Sequence, residues 1–327
     1  MLTDTPRGPS IWKLIAAFAA VYIIWGSTYL GIRIAVETIP PLLMAGTRFT
    51  VAGGVLYLIL RARGVPQPAF PQWRSTLIIG GLLLLGGNGG VSWSEQHVPS
   101  GVAALLVATV PLWMALLDML RGGERPGWKA ALGLVLGLGG ILLLIGPAEI
   151  LGGVGGIDPV GSVVLIFASL SWAIGSLYAR HADIPSTPLM GTALEMLLGG
   201  VLLLVAGTAL GEAGQLHLAT IAPASALALL YLTVFGSLVG FSAYTWLLRV
   251  TTPARAATYA YVNPVIAVIL GWALLDEPLT VQTGLAAGVI VFSVVLITLY
   301  SPRHGQRQQY TQRLAKEVRA APEDVVD

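Results

Sequence analysis

The chain has 327 residues, of which 55% are hydrophobic and 10% are charged, and its mean hydropathy is +0.79. Soluble domains carry roughly 25% charged residues, so this composition excludes an ordinary soluble domain and indicates an integral membrane protein. Cysteine is absent, which excludes disulfides and cysteine-ligated metals. The net charge is only +2 and the basic residues are scattered, so we expect no nucleic-acid partner.

Ten apolar windows are each long enough to cross a bilayer as a helix, which takes about 20 residues. The first carries Trp25, Tyr29 and Arg33 where a cleavable signal peptide would end in small residues, so it is interpreted as a retained span. An all-α membrane protein with ten transmembrane helices is therefore predicted. The predicted spans are residues 14–34, 42–60, 77–93, 102–120, 128–146, 160–178, 189–210, 224–248, 256–275 and 281–300.

The basic residues predict the orientation of these spans. Every lysine and arginine except Arg33 and Arg48 lies in a terminal segment or connector on one side of the membrane. The opposite connectors contain acids, such as Glu37 and Glu95. Because cytoplasmic loops carry the excess of Lys and Arg, segments 1–13 and 301–327 are both predicted to be cytoplasmic.

The two halves of the sequence resemble each other. Each half contains five predicted spans, so a second copy at 155–300 would enter the membrane from the side opposite to the first copy at 14–147. Inverted repeats of this kind are typical of transporters, with the solute site near the bilayer midplane where the repeats meet. A shift of 153 residues aligns Gly87 with Gly240, Trp93 with Trp246, Ala103 with Ala256, Pro111 with Pro264 and Glu124 with Glu277.

Short motifs recur in the same order along both halves. The first half contains WGSTY at 25–29, AGTRF at 45–49 and SGVAA at 100–104, and the second contains AA at 256–257, NPV at 263–265 and DEPL at 276–279. Together these motifs resemble the EamA-type transporters of the drug/metabolite transporter superfamily over residues 12–300. The resemblance implies a ten-helix inverted-repeat carrier of the bacterial inner membrane, commonly an exporter of amino acids, related metabolites or amphipathic compounds.

Polar and aromatic side chains inside the spans are candidates for the lining of a solute path, because a polar group in hydrocarbon needs a protein or water partner. Helical spacing places Trp25 and Tyr29 on one face, and Trp172 and Ser176 on another. The alternative is that they serve as helix-packing contacts and interfacial aromatics. The predicted substrate-binding residues are Trp25, Tyr29, Arg48, Asn88, Trp113, Trp172, Ser176, Glu195, Tyr244, Tyr259 and Asn263.

Two of these residues are charged. The planar fork of Arg48 suits bidentate capture of a carboxylate or phosphate, and the alternatives are a structural ion pair with Glu95 or snorkelling to the interface. Glu195 is predicted to be a proton-coupled carboxylate or the partner of an amine. The alternative for Glu195 is a hydrogen bond to a neighbouring helix.

Four further residues are candidates for hinges or gates. Pro111 and Pro264 lie near the middles of equivalent predicted spans, where proline removes a backbone hydrogen bond and favours a kink. Such kinks serve either as hinges or as static bends. Trp93 and Trp246 are predicted near opposite ends of the path, as gates or as interfacial anchors.

A polytopic enzyme is the main alternative to a carrier. All four histidines lie in predicted connectors or the tail, and the sequence has no HExxH motif or paired catalytic aspartates. We therefore expect no catalytic residue, metal or cofactor. A channel would need a selectivity filter that the sequence does not show, and a scaffold or receptor is a further alternative. The expected partners are a small-molecule substrate and the lipid bilayer, with the chain as a monomer or homodimer.

Overall fold

The structure is a computed structural model that describes residues 10–98, 103, 106–122, 127–145, 158–275 and 281–300. All regular structure in these ranges is helical. The predicted tail at 301–327, Glu124 and Glu277 lie outside the described residues. The long helices are α1 (Ile11–Val36), α2 (Pro41–Ala62), α3 (Phe70–Ser94), α4 (Val110–Leu120), α5 (Trp128–Ile145), α6 (Pro159–Ala179), α7 (Pro188–Ala209), α8 (Pro223–Val250), α9 (Tyr259–Leu275) and α10 (Val281–Tyr300).

Six of these helices, namely α1, α2, α3, α6, α7 and α8, are long and apolar enough to cross a membrane, counting only the described residues. Shorter apolar helices cover Val110–Leu120, Trp128–Leu143 and Gly284–Ile297, within α4, α5 and α10. All of them fall on predicted spans. The prediction of an all-α, multi-span membrane fold is therefore confirmed.

Proline and glycine set many of the helix ends. Six helices have a proline in their first two positions, where its fixed φ suits a helix start and its missing N–H leaves no bond unmade. Gly64, Gly122 and Gly211 follow the ends of α2, α4 and α7 with φ of 80°, 82° and 85°. Glycine adopts this left-handed conformation without strain, so it terminates these helices cleanly.

Helices α2 and α7 form the closest pair in the molecule's centre. A Cβ atom placed on Gly53 would lie 2.3 Å from the Leu197 nitrogen, and one on Gly200 would lie 2.4 Å from the Thr50 nitrogen. These glycines therefore let the two backbones touch, which is how helices gain packing energy where lipid supplies no hydrophobic drive. Helices α5 and α10 pack in the same manner through Gly133 and Gly137, beside Ser293.

The remaining contacts join the two halves crosswise. Helix α1 packs against α8 and α9, and in the corresponding way α6 packs against α3 and α4. Each half therefore places its first helix against the third and fourth helices of the other half. The site described below lies in the space that this arrangement leaves between α1 and α6.

Wide π-helical turns occur in the corresponding helices α3 and α8, at Gly81–Gly89 and Leu232–Phe241. Such turns offset the usual hydrogen-bond ladder and often mark functional sites. In each case a side chain from the other half donates to a carbonyl of the π segment. Ser171 Oγ donates to the Leu82 oxygen at 2.8 Å, and Trp25 Nε1 donates to the Gly236 oxygen at 3.1 Å.

Candidate functional site

A cavity of about 690 Å³, including its open mouth, lies between the two halves. Helices α1, α2, α3 and α4 line it from one half, and α6, α8 and α9 line it from the other. Seven predicted residues meet there, namely Trp25, Tyr29, Arg48, Asn88, Trp172, Tyr259 and Asn263. Trp113, Ser176, Glu195 and Tyr244 are not among its lining residues.

A cluster of aromatic rings forms one end of the cavity. The Trp25 ring centroid lies 5.6 Å from that of Trp172, 5.1 Å from that of Tyr244 and 4.9 Å from that of Tyr259. Edge-to-face arrangements at such separations are favourable between rings. The four side chains come from α1, α6, α8 and α9, so this cluster joins both halves.

Buried hydroxyl groups fix the Trp172 ring from behind. Its Nε1 donates to the Tyr244 hydroxyl at 2.9 Å, and that hydroxyl is 2.7 Å from Ser176 Oγ. Both Tyr244 and Ser176 are fully buried. These two predicted residues do not line the cavity. They contact Trp172, which does line it, and so support its side chain.

Arg48 lies towards the other end of the cavity, on α2. Its Nη2 donates to Asn88 Oδ1 at 2.5 Å, and its guanidinium lies 4.4 Å from the centre of the Phe49 ring. The side chain is 3% exposed, and its Nε is buried without a hydrogen-bond partner. The cavity therefore contains a positioned positive charge whose hydrogen-bonding capacity is incompletely used.

Glu95, directly after the end of α3, interacts electrostatically with Arg48. Both of its carboxylate oxygens are buried and have no hydrogen-bond partner, so it forms no direct bond to the guanidinium. Burial raises the pKa of the Glu95 carboxyl to about 8, although the nearby Arg48 and Arg33 act in the opposite direction. At neutral pH the carboxyl is therefore mostly uncharged.

Glu195 lines a second, smaller pocket of about 280 Å³. It shares that pocket with Arg180, Arg249 and Thr245, and it interacts electrostatically with Arg249. Arg180 is held by two hydrogen bonds, to the main-chain oxygens of Leu248 at 2.6 Å and Thr251 at 2.7 Å. The structure therefore separates the two predicted intramembrane charges, Arg48 and Glu195, into different pockets.

The predicted hinge residues lie at two kinds of position. Pro264 is inside α9. The preceding residue, Asn263, turns its amide nitrogen towards two carbonyls and donates to the main-chain oxygens of Tyr259 at 3.0 Å and Tyr22 at 3.3 Å. Pro111 instead lies in the first turn of α4, directly after a turn at 108–109. The helix is therefore interrupted just before Pro111, so this proline does not kink a continuous helix.

The three other tryptophans that were predicted as site residues do not line the cavity. Trp113 is half-buried beside the core, and its indole nitrogen has no hydrogen-bond partner. Trp93 stacks at 4.6 Å on His97, which is exposed. Trp246 packs against the core from α8. Neither Trp93 nor Trp246 lines the cavity.

Phe49 and Phe241 line the cavity but are not among the predicted substrate-binding residues. Their ring centroids are 6.0 Å apart, and that of Phe241 is 6.5 Å from that of Trp172. They therefore connect the Arg48 end to the aromatic cluster. The apolar phenylalanine ring carries no polar group that would mark it as a path residue, and AGTRF at 45–49 was the motif that covered Phe49.

The arrangement can hold a small molecule in a mostly apolar space with one fixed cation. Among the described residues, no group of three or more His, Cys, Asp or Glu side chains is placed to bind a metal ion.

Comparison with known proteins gives the family. A model of the EamA-like transporter family matches residues 11–146 and again residues 159–299. YedA of Escherichia coli K12, described as an uncharacterized inner membrane transporter, is 44% identical over 90% of this chain and 93% of its own length. A probable amino-acid metabolite efflux pump of the same organism is 27% identical over 86% of this chain and 93% of its own length.

One solved crystal structure has the same fold, with a TM-score of 0.71 at 20% identity over 89% of this chain and 99% of that chain. The resemblance inferred from the motifs is confirmed by the family model and by YedA. This chain belongs to the EamA-like transporter family of membrane transporters.

Proposed function

We propose that the protein is a secondary transporter that works by alternating access, with two inverted five-helix repeats that rearrange around the central cavity. The observation that carries the proposal is the cavity itself, which is lined by helices of both halves. Relative movement of the halves would change the walls of such a cavity and expose it to one side or the other. Residues 14–147 and 155–300 are the two repeats.

The internal symmetry of the contacts supports the inverted arrangement. Helices α1 and α6 each pack against the third and fourth helices of the other half, and α2 packs against α7 as α5 packs against α10. The π-helical turns also occur at matching places, in α3 and α8. A duplicated unit of five helices would produce this pattern, and an odd number of spans reverses the second copy.

In the proposed orientation both termini are in the cytoplasm of a bacterium and the protein spans the inner membrane. The Arg48 end of the cavity would then face outward. On the other side of Trp25, the Tyr22 hydroxyl is 2.6 Å from Thr258 Oγ1 and ties α1 to the start of α9. This contact and the aromatic cluster would close the cytoplasmic end in an outward-facing state.

The proposed cargo is an amino acid or a related amphipathic compound, and the proposed direction is export. The probable amino-acid metabolite efflux pump among the relatives supports this choice. The mixture of aromatic rings and one buried arginine in the cavity supports it independently. Trp25, Tyr29, Arg48, Asn88, Trp172, Tyr259 and Asn263 would contact the cargo, and Ser176 and Tyr244 would position Trp172.

The test is counterflow in proteoliposomes with a panel of labelled amino acids. We expect saturable flux, reduced at least about tenfold by Trp172→Ala because the variant loses a wall of the site. Phe167→Ala is the matched control, since Phe167 is an aromatic residue of the same helix whose side chain is 65% exposed on the outer surface. Flux that rises linearly with concentration would instead indicate a channel.

A further inference from the structure

We infer that the cavity recognises a monocarboxylate that carries an aromatic or large apolar group, and that an amine on the same solute finds no ionic partner there. The inference rests on the carrier function proposed above and specifies its substrate chemistry. Three features of the cavity support it: the state of Arg48, the row of rings beside it, and the sign of the charges in the wall.

The anion site is the Arg48 guanidinium. A buried ion needs a compensating partner, yet Asn88 supplies only one neutral acceptor, at 2.5 Å, and Phe49 supplies a ring face at 4.4 Å. The buried Nε is left with no partner. A carboxylate in the cavity would balance the charge, because its two oxygens match the fork of a guanidinium.

Glu95 does not take that place. Neither of its oxygens makes a hydrogen bond, and it is not among the residues that line the cavity. Because burial raises the pKa of this carboxyl to about 8, it is mostly neutral at pH 7. The charge of Arg48 is therefore left for a ligand.

The apolar site continues directly from Arg48. Phe49, Phe241, Trp172 and Trp25 follow one another with centroid separations of 6.0, 6.5 and 5.6 Å. A ring on the cargo can pack against these rings in offset or edge-to-face contact.

The described wall contains no carboxylate. Arg48 is the charged residue among the described lining residues, and none of them is Asp or Glu. An ammonium group would find ring faces, which attract cations more weakly than a carboxylate does, and it would lie close to a guanidinium of the same charge.

One guanidinium also sets the charge of the ligand. A single fixed cation balances a monocarboxylate, whereas a phosphate monoester carries up to two negative charges at neutral pH. We therefore expect a carboxylate in preference to a phosphate.

The experiment measures binding by the protein in lipid nanodiscs, through intrinsic tryptophan fluorescence. The probes are 3-phenylpropionate, L-phenylalanine, 2-phenylethylamine and phenyl phosphate, so that the ring is constant and the charged groups vary. The variants are Arg48→Gln and, as the matched control, Arg74→Gln, an exposed arginine at the start of α3.

We expect 3-phenylpropionate to bind at least as tightly as phenylalanine, and phenylethylamine to bind about tenfold more weakly or worse, the usual scale for a lost hydrogen bond to a charged group. Arg48→Gln should remove this discrimination and Arg74→Gln should keep it. Equal or tighter binding of phenylethylamine or phenyl phosphate by the wild-type protein would overturn the inference without any variant. Binding of none of the four probes would also overturn the inference about the substrate. In that case, saturable counterflow of other amino acids would still support the proposed carrier function.

Discussion

The two buried charges of this protein lie on corresponding helices but have different surroundings. Arg48 on α2 opens into the large central cavity, with one neutral hydrogen-bond partner. Glu195 on α7 faces a pocket of about 280 Å³ that already contains Arg180 and Arg249. Arg48 faces a cavity that can hold a ligand, whereas Glu195 lies beside two arginines of the protein, with its Oε2 buried and without a hydrogen-bond partner.

This difference shows how a duplicated scaffold can keep its packing and still specialise its halves. Helices α2 and α7 contact each other closely along their glycines, so they form a common support for both charges. What differs is the set of side chains at the neighbouring helix ends. Glu95 follows α3 with its oxygens unbonded, whereas Arg249, near the end of α8, interacts with Glu195.

The largest expected effect comes from disturbing that common support. In Gly53→Ala the new Cβ would lie 2.3 Å from the Leu197 nitrogen, a backbone atom that cannot move without separating α2 from α7. We expect a loss of several kcal/mol in stability, on the order of the cost of severe overpacking, seen as a collapse in the yield of monodisperse protein. The result would show that both pockets depend on one helix pair.

Gly54→Ala is the matched control for this prediction. At Gly54 the nearest atom to a new Cβ is Leu197 Cδ1 at 3.9 Å, an ordinary contact. Alanine also favours a helix by roughly 1 kcal/mol over glycine, so this variant should be at least as stable as the wild type. If both variants behaved alike in size-exclusion chromatography, the close contact between α2 and α7 would be refuted.

A smaller effect should separate the two charges by their roles. Glu195→Gln leaves Arg249 without its buried counter-charge, so it should lower the free energy of unfolding, and a double-mutant cycle with Arg249→Gln should give a coupling of about 1–2 kcal/mol. Arg48→Gln removes a charge that the protein does not pair, so it should leave stability unchanged or raise it, as often happens at functional sites.

Unfolding of purified protein in mixed micelles, titrated with denaturing detergent, measures these differences. Binding of 3-phenylpropionate by Glu195→Gln serves as the control, because that variant leaves the central cavity intact. A coupling near zero between Glu195 and Arg249, or weaker binding in Glu195→Gln, would remove the distinction between the two charges.

The helices could be predicted largely from the sequence because hydropathy is additive along a span. The window at 77–93 still missed the start of α3, which begins at Phe70, since Gln72 and Arg74 interrupt the apolar pattern there. Pro111 shows a different limit. Its place within an apolar window predicted a position in mid-helix, but the structure has a turn at 108–109 immediately before it.

The site could be predicted only where helical spacing carries the information. Trp25 and Tyr29 share a helix face, so their common lining of the cavity follows from their spacing. The separation of Arg48 from Glu195 does not, because depth within a span says nothing about which neighbouring helix a side chain faces. Likewise, Glu95 was predicted as a connector acid, and the burial of its oxygens depends on tertiary packing.

The smallest predicted effect is a pH dependence that arises from Glu95. Its raised pKa of about 8 means that the carboxyl is neutral below that pH and gains a negative charge as the pH rises through it. The new charge would interact with Arg48 and repel a bound carboxylate. The affinity for 3-phenylpropionate should therefore fall, by up to about tenfold for each unit by which the ligand shifts the Glu95 pKa.

Binding titrations between about pH 6.5 and pH 9 test this effect, since 3-phenylpropionate is ionised throughout that range. The groups that interact with Glu95 include Arg33 and Tyr29 on α1 as well as Arg48 on α2. With its raised pKa of about 8, Glu95 is the group expected to titrate in this range. Glu95→Gln is the matched variant, and it should bind with a nearly constant affinity. If the affinity of Glu95→Gln fell equally steeply with pH, the pH dependence would belong to another group. Glu95 would then not modulate the charge of Arg48, and it would not explain the difference between the Arg48 and Glu195 sites.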